Sequence, residues 1–203
     1  MLRTVLIEPP NAAEGASRRL DRFHARPSLI IFHPMELDLQ NALVPATPDD
    51  APAIAALRAA VARDLTARYG KGHWSSEGSE KGVLYGMKTA RVLVARRAEG
   101  VLAVLSLATK KPWAIDPAYF TACKKALYLT DMAVEPALQR QGIGRLCLEA
   151  ALRVAREWPA DAIRLDAYDA AAGAGEFYRR CGFREAGRVV YRKVPLVYFE
   201  WLV

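Results

Sequence analysis

Residues 129–158 read LTDMAVEPALQRQGIGRLCLEAALRVAREW and predict a strand, a glycine-containing turn and a helix in direct succession. Alternation at Leu127, Leu129 and Met132 favours the strand, and QRQGIG at residues 139–144 forms the turn. The helix has an apolar side at three- and four-residue spacing, made of Cys147, Ala150, Ala151, Val154 and Trp158. Its polar side carries Arg145, Glu149, Arg153 and Arg156. We expect the apolar side to pack on the sheet.

The turn has the chemistry of an anion site. Gly142 and Gly144 have no Cβ, so a ligand can approach the backbone closely. The first N–H groups of a helix have no intrahelical partners, and the helix dipole is positive at that end. Arg140 and Arg145 add side-chain charge at the rim. Together these features suit a pyrophosphate group.

The spacing of the turn excludes two common phosphate-binding motifs. A dinucleotide-binding fold needs G-x-G-x-x-G, and a Walker loop needs G-x-x-x-x-G-K-[ST]; residues 139–144 have neither. The pattern Q-x-x-G-x-G after a strand ending in Met132, Ala133 and Val134 resembles the acyl-CoA binding motif, Q/R-x-x-G-x-G/A, of the GNAT (GCN5-related N-acetyltransferase) superfamily. For these six residues alone, an ordinary strand-to-helix turn remains the alternative.

A second stretch strengthens the resemblance. Residues 162–168 predict a strand, and the following AGEFYRRCGF at residues 174–183 is similar to the late motif of the superfamily, N-x-x-A-x-x-F-Y-x-x-x-G-F. Ala171 stands where the superfamily commonly has Asn, so a side-chain hydrogen bond is missing there. The resemblance covers roughly Leu43 to Val203 and is specific in the second half.

The resemblance implies both a fold and an activity. The expected fold is α+β, a GNAT-like mixed, mainly antiparallel sheet flanked by helices on both faces. One acetyltransferase domain would span residues 41–203, after an N-terminal extension of residues 1–40. The expected activity is that of an acetyl-CoA-dependent N-acyltransferase, which moves the acetyl group to a primary amine by direct attack. Acetyl-CoA is then the co-substrate, and no metal is expected.

The resemblance also implies site residues. Acetyl-CoA binding would fall to the strand end, the turn and the late motif, namely Met132, Ala133, Val134, Gln139, Arg140, Gln141, Gly142, Ile143, Gly144, Arg145, Ala174 and Phe177. Tyr178 matches the tyrosine that protonates the leaving thiolate, because a phenol of pKa ~10 stays protonated at neutral pH; a tyrosine packed on the sheet is the alternative. Asp131 is a candidate base for the amine, although strand alternation leaves open which way it points.

The composition of the chain limits which other classes of protein it can belong to. With 203 residues, 52% hydrophobic, the chain suits one globular domain, and no apolar run approaches the ~20 residues that cross a bilayer. Cys123, Cys147 and Cys181 form no C-x-x-C pair and no His stands at metal spacing, so neither a disulfide scaffold nor a zinc site is indicated. A reducing cytoplasm fits these cysteines best.

The net charge of +7 bears on partners. Lys and Arg are dispersed, so we interpret the charge first as a solvated surface and second as a bias towards an anionic cofactor or partner. The expected partner is a small-molecule or peptide amine acceptor, with no nucleic acid and no membrane; a homodimer is left open. The competing functions are a non-catalytic acyl-CoA-binding regulatory protein and, after it, a basic nucleic-acid-binding module.

In the rest of the chain, the sequence predicts the helices and strands less sharply. Residues 43–45 form a first strand, and a helix with its start at residues 47–50 ends at Gly70. Residues 71–82 form a loop or loose helix. The resemblance implies that this region helps to wall the acceptor site, which makes His73 and Trp74 candidate substrate contacts; a surface loop with one anchoring Trp is the alternative. A hairpin joins residues 91–97 to 101–109, a short helical insert covers residues 117–124, and the C-terminus forms two strands broken at Pro195. Residues 1–34 are expected to be dispensable, with Met35 as a possible true start.

Overall fold

The structure is a computed structural model and describes residues 43–98 and 100–203. Within these residues the elements follow one another as β1 Val44–Pro45, α1 Ala51–Tyr69, α2 Glu80–Met87, β2 Arg91–Arg97, β3 Gly100–Ala108, β4 Ala126–Val134, α3 Ile143–Glu157, β5 Ala162–Tyr168, α4 Gly175–Arg180, β6 Arg184–Tyr191 and β7 Val194–Leu202. The expectations for residues 1–34 and for Met35 lie outside the described residues.

All seven strands join one sheet, in the order β1-β2-β3-β4-β5-β7-β6. Neighbouring strands are antiparallel except β4 and β5, which are parallel and are connected through α3. Helices α1 and α2 pack on one face of the sheet, and α3 and α4 pack on the other. The predicted α+β fold, with a mainly antiparallel sheet between helices, is confirmed.

Each face has its own apolar core because side chains alternate along the strands. The α3 face buries Leu105, Leu165 and Phe199 against Cys147 and Ala151 of α3. The α1 face is filled from α1 by residues at helical spacing, which are Ile54, Leu57, Val61 and Leu65. Full burial of one such side chain contributes about 1.5–3 kcal/mol, so the two cores hold the sheet from both sides.

The 3-10 turn Pro48–Asp50, which leads directly into α1, is fixed by a capping box. The carboxylate of Asp50 accepts a hydrogen bond from the backbone N–H of Thr47 at 2.6 Å and from Nε of Arg96 at 2.6 Å. The first bond satisfies a donor at the helix start, and the second ties α1 to β2. The helix ends where predicted, at Gly70, whose φ of +76° suits a residue without Cβ.

Three predictions of local structure are corrected. Trp158, expected on the buried side of α3, follows the last helical residue and is 47% exposed. The C-terminal strands break at Arg192 and Lys193, and Pro195 pairs with Val190 inside β7. A proline without N–H is tolerated there because it lies beyond the last pair of β7 with β5, which joins Tyr168 to Leu196. The predicted helical insert is only a single 3-10 turn, Pro117–Tyr119.

Helix α2 was not predicted as an element. The expected loop at residues 71–82 contains a 3-10 turn, His73–Ser75, and then leads into α2 at Glu80. Ser79 caps α2 by accepting a hydrogen bond from the backbone N–H of Gly82 at 3.2 Å. The helix buries Val83 in the core of the α1 face, which stabilises a sequence with two internal glycines.

Candidate active site

The sheet opens between its two parallel strands. The register of β4 and β5 comprises three pairs and ends at Tyr128 and Arg164, although β4 continues to Val134 and β5 to Tyr168. Beyond these pairs the two strands are no longer joined by the ladder. The carboxyl ends of β4 and β5 therefore border a gap in the middle of the sheet, where a ligand can lie against strand backbone.

A bulge in β4 marks the beginning of this gap. Ser106 of β3 faces Asp131, whereas the next residue, Leu107, faces Leu129, so Thr130 is an extra residue in β4. A bulge bends its strand and increases the local twist, and bulges are frequent beside active sites. Thr130 is half-buried and its hydroxyl donates to the carbonyl of Ser106 at 3.4 Å. The bulge accounts for the divergence of β4 from β5.

The turn after β4 is held by its own side chains. Gln139 Nε2 donates to the carbonyl of Val134 at 3.2 Å, and Gln141 Nε2 donates to the carbonyl of Ala137 at 3.3 Å. Arg140 has a φ of +62° and Gly142 a φ of +85°. A left-handed residue at each of these positions turns the backbone sharply, and α3 begins directly after the second.

The N-terminus of α3 points its backbone donors towards the turn. Its N-cap residue, Gly142, is left-handed, and among the described residues no side chain caps the helix there. The first N–H groups of a helix have no intrahelical partners, so this end is available to an anion. Arg140 and Arg145 are exposed beside it. Because α3 contacts both β4 and β5, this anion site lies next to the gap.

The late motif forms α4 on the same face of the sheet as α3. The side chain of Tyr178 is 0% exposed, and its ring packs against those of Phe183 and Phe199 at centroid distances of 5.5 Å and 5.6 Å. Ala174 at the start of α4 is buried, whereas Ala171 before it is exposed. The two stretches predicted to bind acetyl-CoA, the turn and the late motif, therefore lie on one face of the sheet.

Asp131 points to the opposite face. Its carboxylate forms an ion pair with Arg58 of α1, in which Arg58 Nε donates at 2.9 Å. Burial raises the pKa of Asp131 above its ordinary value of 3.8, and the charge and hydrogen bond of Arg58 oppose that rise. The ion pair ties α1 to β4 next to the bulge, which gives Asp131 a structural role.

A cavity of about 590 Å³ opens on the α1 face next to the bulge. Its lining residues are His73, Pro112, Trp113, Ala114, Thr130, Asp166, Tyr168, Tyr191, Arg192 and Val194. Thr130 and Asp166 come from β4 and β5, the two strands that border the gap. The α1 face thus has a cavity of its own, on the side of the sheet opposite α3.

The walls of this cavity are anchored to the sheet by two tyrosines. Tyr198 of β7 donates its hydroxyl hydrogen to the carbonyl of Ala114 and accepts from the N–H of Asp116 at 3.3 Å. Burial raises the pKa of Tyr198, so it remains a donor. On the other wall, the hydroxyl of Tyr168 donates to the carbonyl of His73 at 3.2 Å. Both loops are therefore held in place before any ligand binds.

The two aromatic candidates of the loop before α2 have different positions. His73 lines the cavity and stacks on Tyr168 at a centroid distance of 6.2 Å. Trp74 lies edge-on to Tyr168 at 6.1 Å, and its Nε1 donates to the carbonyl of Gly70 at 3.0 Å. Trp74 thus anchors the loop, and His73 is the one placed to meet a ligand.

The sequence profile of the Acetyltransferase (GNAT) family matches residues 59–183, more than half of the chain. The chain belongs to this family. The matched segment begins within α1 and includes the turn, α3, β5 and the late motif. The gap between β4 and β5 and the uncapped start of α3 are thus features of a GNAT domain.

Solved structures with the same GNAT fold include three bacterial acetyltransferases. The ribosomal-protein-S18-alanine N-acetyltransferase of Escherichia coli superposes with a TM-score of 0.59 at 17% identity, over 79% of this chain and 92% of that chain. The ribosomal-protein-alanine N-acetyltransferase of Brucella melitensis gives 0.60 at 20% identity, over 79% and 99%. A GNAT family acetyltransferase of Listeria monocytogenes gives 0.62 at 19% identity, over 79% and 94%. At these identities the similarity shows the fold alone.

No curated protein sequence matches the chain.

In the part of this GNAT domain that the structure describes, no group of three His, Cys, Asp or Glu side chains could hold a metal ion. Over the same residues, none of the helices is both long enough and apolar enough to span a membrane.

Sequence reasoning missed Asp166. This carboxylate is only 8% exposed, and it lines the cavity from the strand that borders the gap. Its neighbours Leu165 and Ala167 face the α3 core, so alternation directs Asp166 to the α1 face. An acidic residue on the polar side of an otherwise apolar strand can be recognised from the sequence as a candidate site residue.

Proposed function

We propose that this GNAT protein is an N-acetyltransferase that moves the acetyl group of acetyl-CoA to a primary amine by direct attack. The observation that supports this most is the gap between β4 and β5. On one face it is flanked by the uncapped N-terminus of α3, and on the other by a cavity with a buried carboxylate. Two substrates can therefore approach one point from opposite faces.

In this proposal the turn and α3 hold the cofactor. The pyrophosphate accepts hydrogen bonds from the backbone N–H groups of residues 141–145, where the helix dipole is favourable. Arg140 and Arg145 add charge from exposed positions. Met132, Ala133 and Val134 border the gap beyond the paired register, so their backbone can bind the pantetheine arm and polarise the thioester carbonyl. Ala174 and Phe177 form the α4 side of the site.

The chemical step requires positioning and two proton movements. The amine nitrogen attacks the thioester carbonyl carbon, the carbon–sulfur bond breaks, and the products are the amide and free CoA. Tyr178 supplies the proton that the leaving thiolate takes up, since a phenol of pKa ~10 is protonated at neutral pH. An acceptor ammonium must first lose a proton to a base, and two carboxylates near the gap are candidates.

Asp166 is the better placed of the two candidate bases. It lines the acceptor cavity, so an amine bound there meets it directly or through one water. Asp131, the base expected from the sequence, has its carboxylate engaged by Arg58. Asp131 is not among the residues that line the acceptor cavity. We therefore assign the base to Asp166 and keep Asp131 as the alternative.

A covalent cysteine route is disfavoured by the state of the thiols. Cys147 is buried on the core side of α3, and burial raises its pKa to about 12, so it is a thiol and not a thiolate at neutral pH. Burial also raises the pKa of Cys181, with Arg145 opposing the rise. All three cysteines are free, which agrees with the proposed reducing, cytoplasmic location.

The test is release of free CoA thiol from acetyl-CoA with a panel of amines, together with calorimetric titration of acetyl-CoA. We expect binding in the absence of acceptor and thiol release with one acceptor class. Arg140→Ala should weaken acetyl-CoA binding by roughly three- to tenfold, whereas the matched control Arg153→Ala, on the exposed side of α3 about three turns from its start, should not. No acetyl-CoA binding would show that the assignment of residues 139–144 is wrong.

A second function is favoured by one observation. Ala171 is exposed at the position where the superfamily commonly has Asn, so the site lacks one side-chain hydrogen bond. A protein that binds acyl-CoA without turnover, and that acts as a regulator, would fit this loss. The same experiment separates the two functions, because a regulator binds acetyl-CoA and releases no thiol with any amine.

A further inference from the structure

The cavity on the α1 face has a mixed chemistry that restricts which amine can enter. We propose that the acceptor is a small primary amine with an aromatic body and an acidic group, such as an aromatic amino acid or an aminoalkyl aromatic acid. This inference rests on the proposed acetyltransferase function and adds the substrate class.

The amine-binding end of the cavity is formed by Asp166 and Thr130. Among the described residues that line the cavity, Asp166 is the one carboxylate, and it is buried on β5. A buried carboxylate attracts an ammonium group more strongly than one in water, because the local dielectric constant is lower. Thr130 adds a hydroxyl on the bulge of β4, directly at the gap. The amine is therefore drawn to the end of the cavity where the acetyl group would lie.

The side walls of the cavity are aromatic. Tyr168 and His73 form a stacked pair on one wall, and Tyr191 lies at the end of β6. On the loop opposite, Trp113 is 76% exposed, and that loop is fixed because Tyr198 binds its backbone at Ala114. Aromatic side chains bind flat apolar groups by stacking and edge-to-face contacts. A fixed, exposed indole beside a cavity therefore favours an acceptor with a ring.

The mouth of the cavity carries a positive charge on a strained turn. Arg192 lines the cavity and, with Lys193, forms the two-residue turn between β6 and β7. Their φ values are +50° and +67°, a conformation that Asn and Gly adopt more readily than side chains of this size. Strained backbone of this kind is concentrated at functional sites. A guanidinium held at the mouth suits a carboxylate, which it can bind through two parallel hydrogen bonds.

The same charges disfavour polycationic acceptors. Besides Arg192 and Lys193, the loop that carries Trp113 includes Lys111, whose Nζ donates to the carbonyl of Ile115 at 2.8 Å. Polyamines and aminoglycosides bring several positive charges, which these groups repel. A single ammonium group balanced by an acidic group does not meet that repulsion. Charge and shape thus select the same acceptor class.

The first experiment uses four matched probes: para-aminomethylbenzoate, para-aminomethylbenzamide, benzylamine and spermidine. For each, thiol release from acetyl-CoA gives kcat and KM, and calorimetry measures binding to the CoA-saturated protein. We expect the benzoate to show the lowest KM, by roughly tenfold or more relative to the amide, since the amide lacks the charge that Arg192 binds. A preference for spermidine would overturn the proposal.

Two pairs of variants locate the effect. Arg192→Gln should raise the KM for the benzoate to the value for the amide, and the KM for benzylamine should stay the same. Lys193→Gln, at the neighbouring turn position outside the cavity lining, should keep the difference in KM between the benzoate and the amide. Trp113→Ala should weaken binding of all three aromatic probes. Its control is Tyr85→Ala, which removes an aromatic side chain of similar exposure, 69%, on α2. A benzoate preference that persists in Arg192→Gln would contradict the proposed carboxylate contact.

The binding and turnover measurements separate this inference from the proposed function. If the benzoate binds and no amine releases thiol, the acetyltransferase function fails while the ligand class stands. If other amines react and no aromatic acid binds or reacts, the acceptor class fails and the acetyltransferase function stands. Absence of binding by every aromatic acid overturns the acceptor class whatever the turnover.

Discussion

Tyr178 combines complete burial with an ionisable hydroxyl. Its ring is held by Phe183 and Phe199. If it protonates the leaving thiolate, Tyr178→Phe should lower kcat by ~10-fold or more, since general acid catalysis typically contributes ~100-fold or more. The ring contacts remain in this variant, so a single cooperative melting transition should be retained, which calorimetric melting checks. Tyr128→Phe, a buried tyrosine of β4, is the matched control, and an unchanged kcat in Tyr178→Phe would remove the assignment.

Two carboxylates near the gap should respond differently to loss of charge. Asp131→Asn leaves Arg58 largely buried without its partner, so we expect a loss of about 3 kcal/mol or more in the free energy of unfolding. Asp166→Asn should instead lower kcat by ~100-fold or more and remove the acidic limb of the pH–rate profile, as expected for loss of a base. Denaturant unfolding and pH–rate profiles measure the two effects.

The control for these variants tests the ion pair itself. Replacing both partners, Arg58→Leu with Asp131→Leu, should recover most of the stability that Asp131→Asn loses, because a buried pair can be exchanged for apolar side chains at little cost. If Asp131→Asn were stable and had lost the acidic limb, Asp131 would be the base and Asp166 would not.

For single residues, the sequence gives the residue type but not which residues surround it in the folded protein. Gly142 and Tyr178 could be placed because they stand in motifs. Asp166 was missed because its significance comes from a cavity built by distant loops, although its phase on the strand could be predicted. The partner of Asp131 could not be predicted, since Arg58 lies 73 residues away in the sequence and is brought there by the packing of α1 on the sheet.

At the level of elements, α1 and β2 are joined by a charge contact with a defined pH dependence. The hydrogen bond from Arg96 is the largest cause that lowers the pKa of Asp50 from 3.8 to about 2. A folded-state pKa below the unfolded value stabilises the protein above about pH 4, and this contribution disappears as the pH falls towards 2. Since Arg96 is about one-third exposed, we expect about 1–2 kcal/mol in total.

Unfolding of the Asp50→Asn variant at several pH values measures this contribution. The variant should be less stable than the natural protein at pH 7, and the difference should shrink below about pH 4. Asp49→Asn is the matched control, because Asp49 is the exposed neighbour in the same turn. A difference that stays constant down to pH 2 would show that the charge of Asp50 contributes nothing.

Helices and strands with regular apolar spacing were predicted, and those that depend on tertiary packing were not. Strand β5 and helix α3 have regular apolar spacing, so their presence followed from the sequence alone. Helix α2 has two glycines and depends on the burial of Val83. The turn at Arg192 and Lys193 contains none of the usual turn residues, so Pro195 was mistaken for the break. In both cases tertiary packing overrides local preference.

In the whole molecule, the site arises from topology. Strands β4 and β5 are the one parallel pair in the described sheet, and α3 connects them across one face. The helix N-terminus and the gap are thus placed together by the same crossover. The motifs in the sequence indicated the family and the cofactor side of the site. The acceptor cavity could not be predicted, because residues from three loops and four strands meet only after folding.

The described residues contain everything that the proposed function uses. The sheet, both apolar cores, the turn before α3 and the acceptor cavity are all formed within residues 43–203, with residue 99 outside the description. We therefore expect a chain that begins at Met35 to keep a single cooperative melting transition and the same affinity for acetyl-CoA, since the elements named above lie within the described residues. Calorimetric melting and acetyl-CoA titration of the two chains, side by side, measure this. Lost acetyl-CoA binding or a collapsed transition would show that residues 1–34 are part of the functional domain.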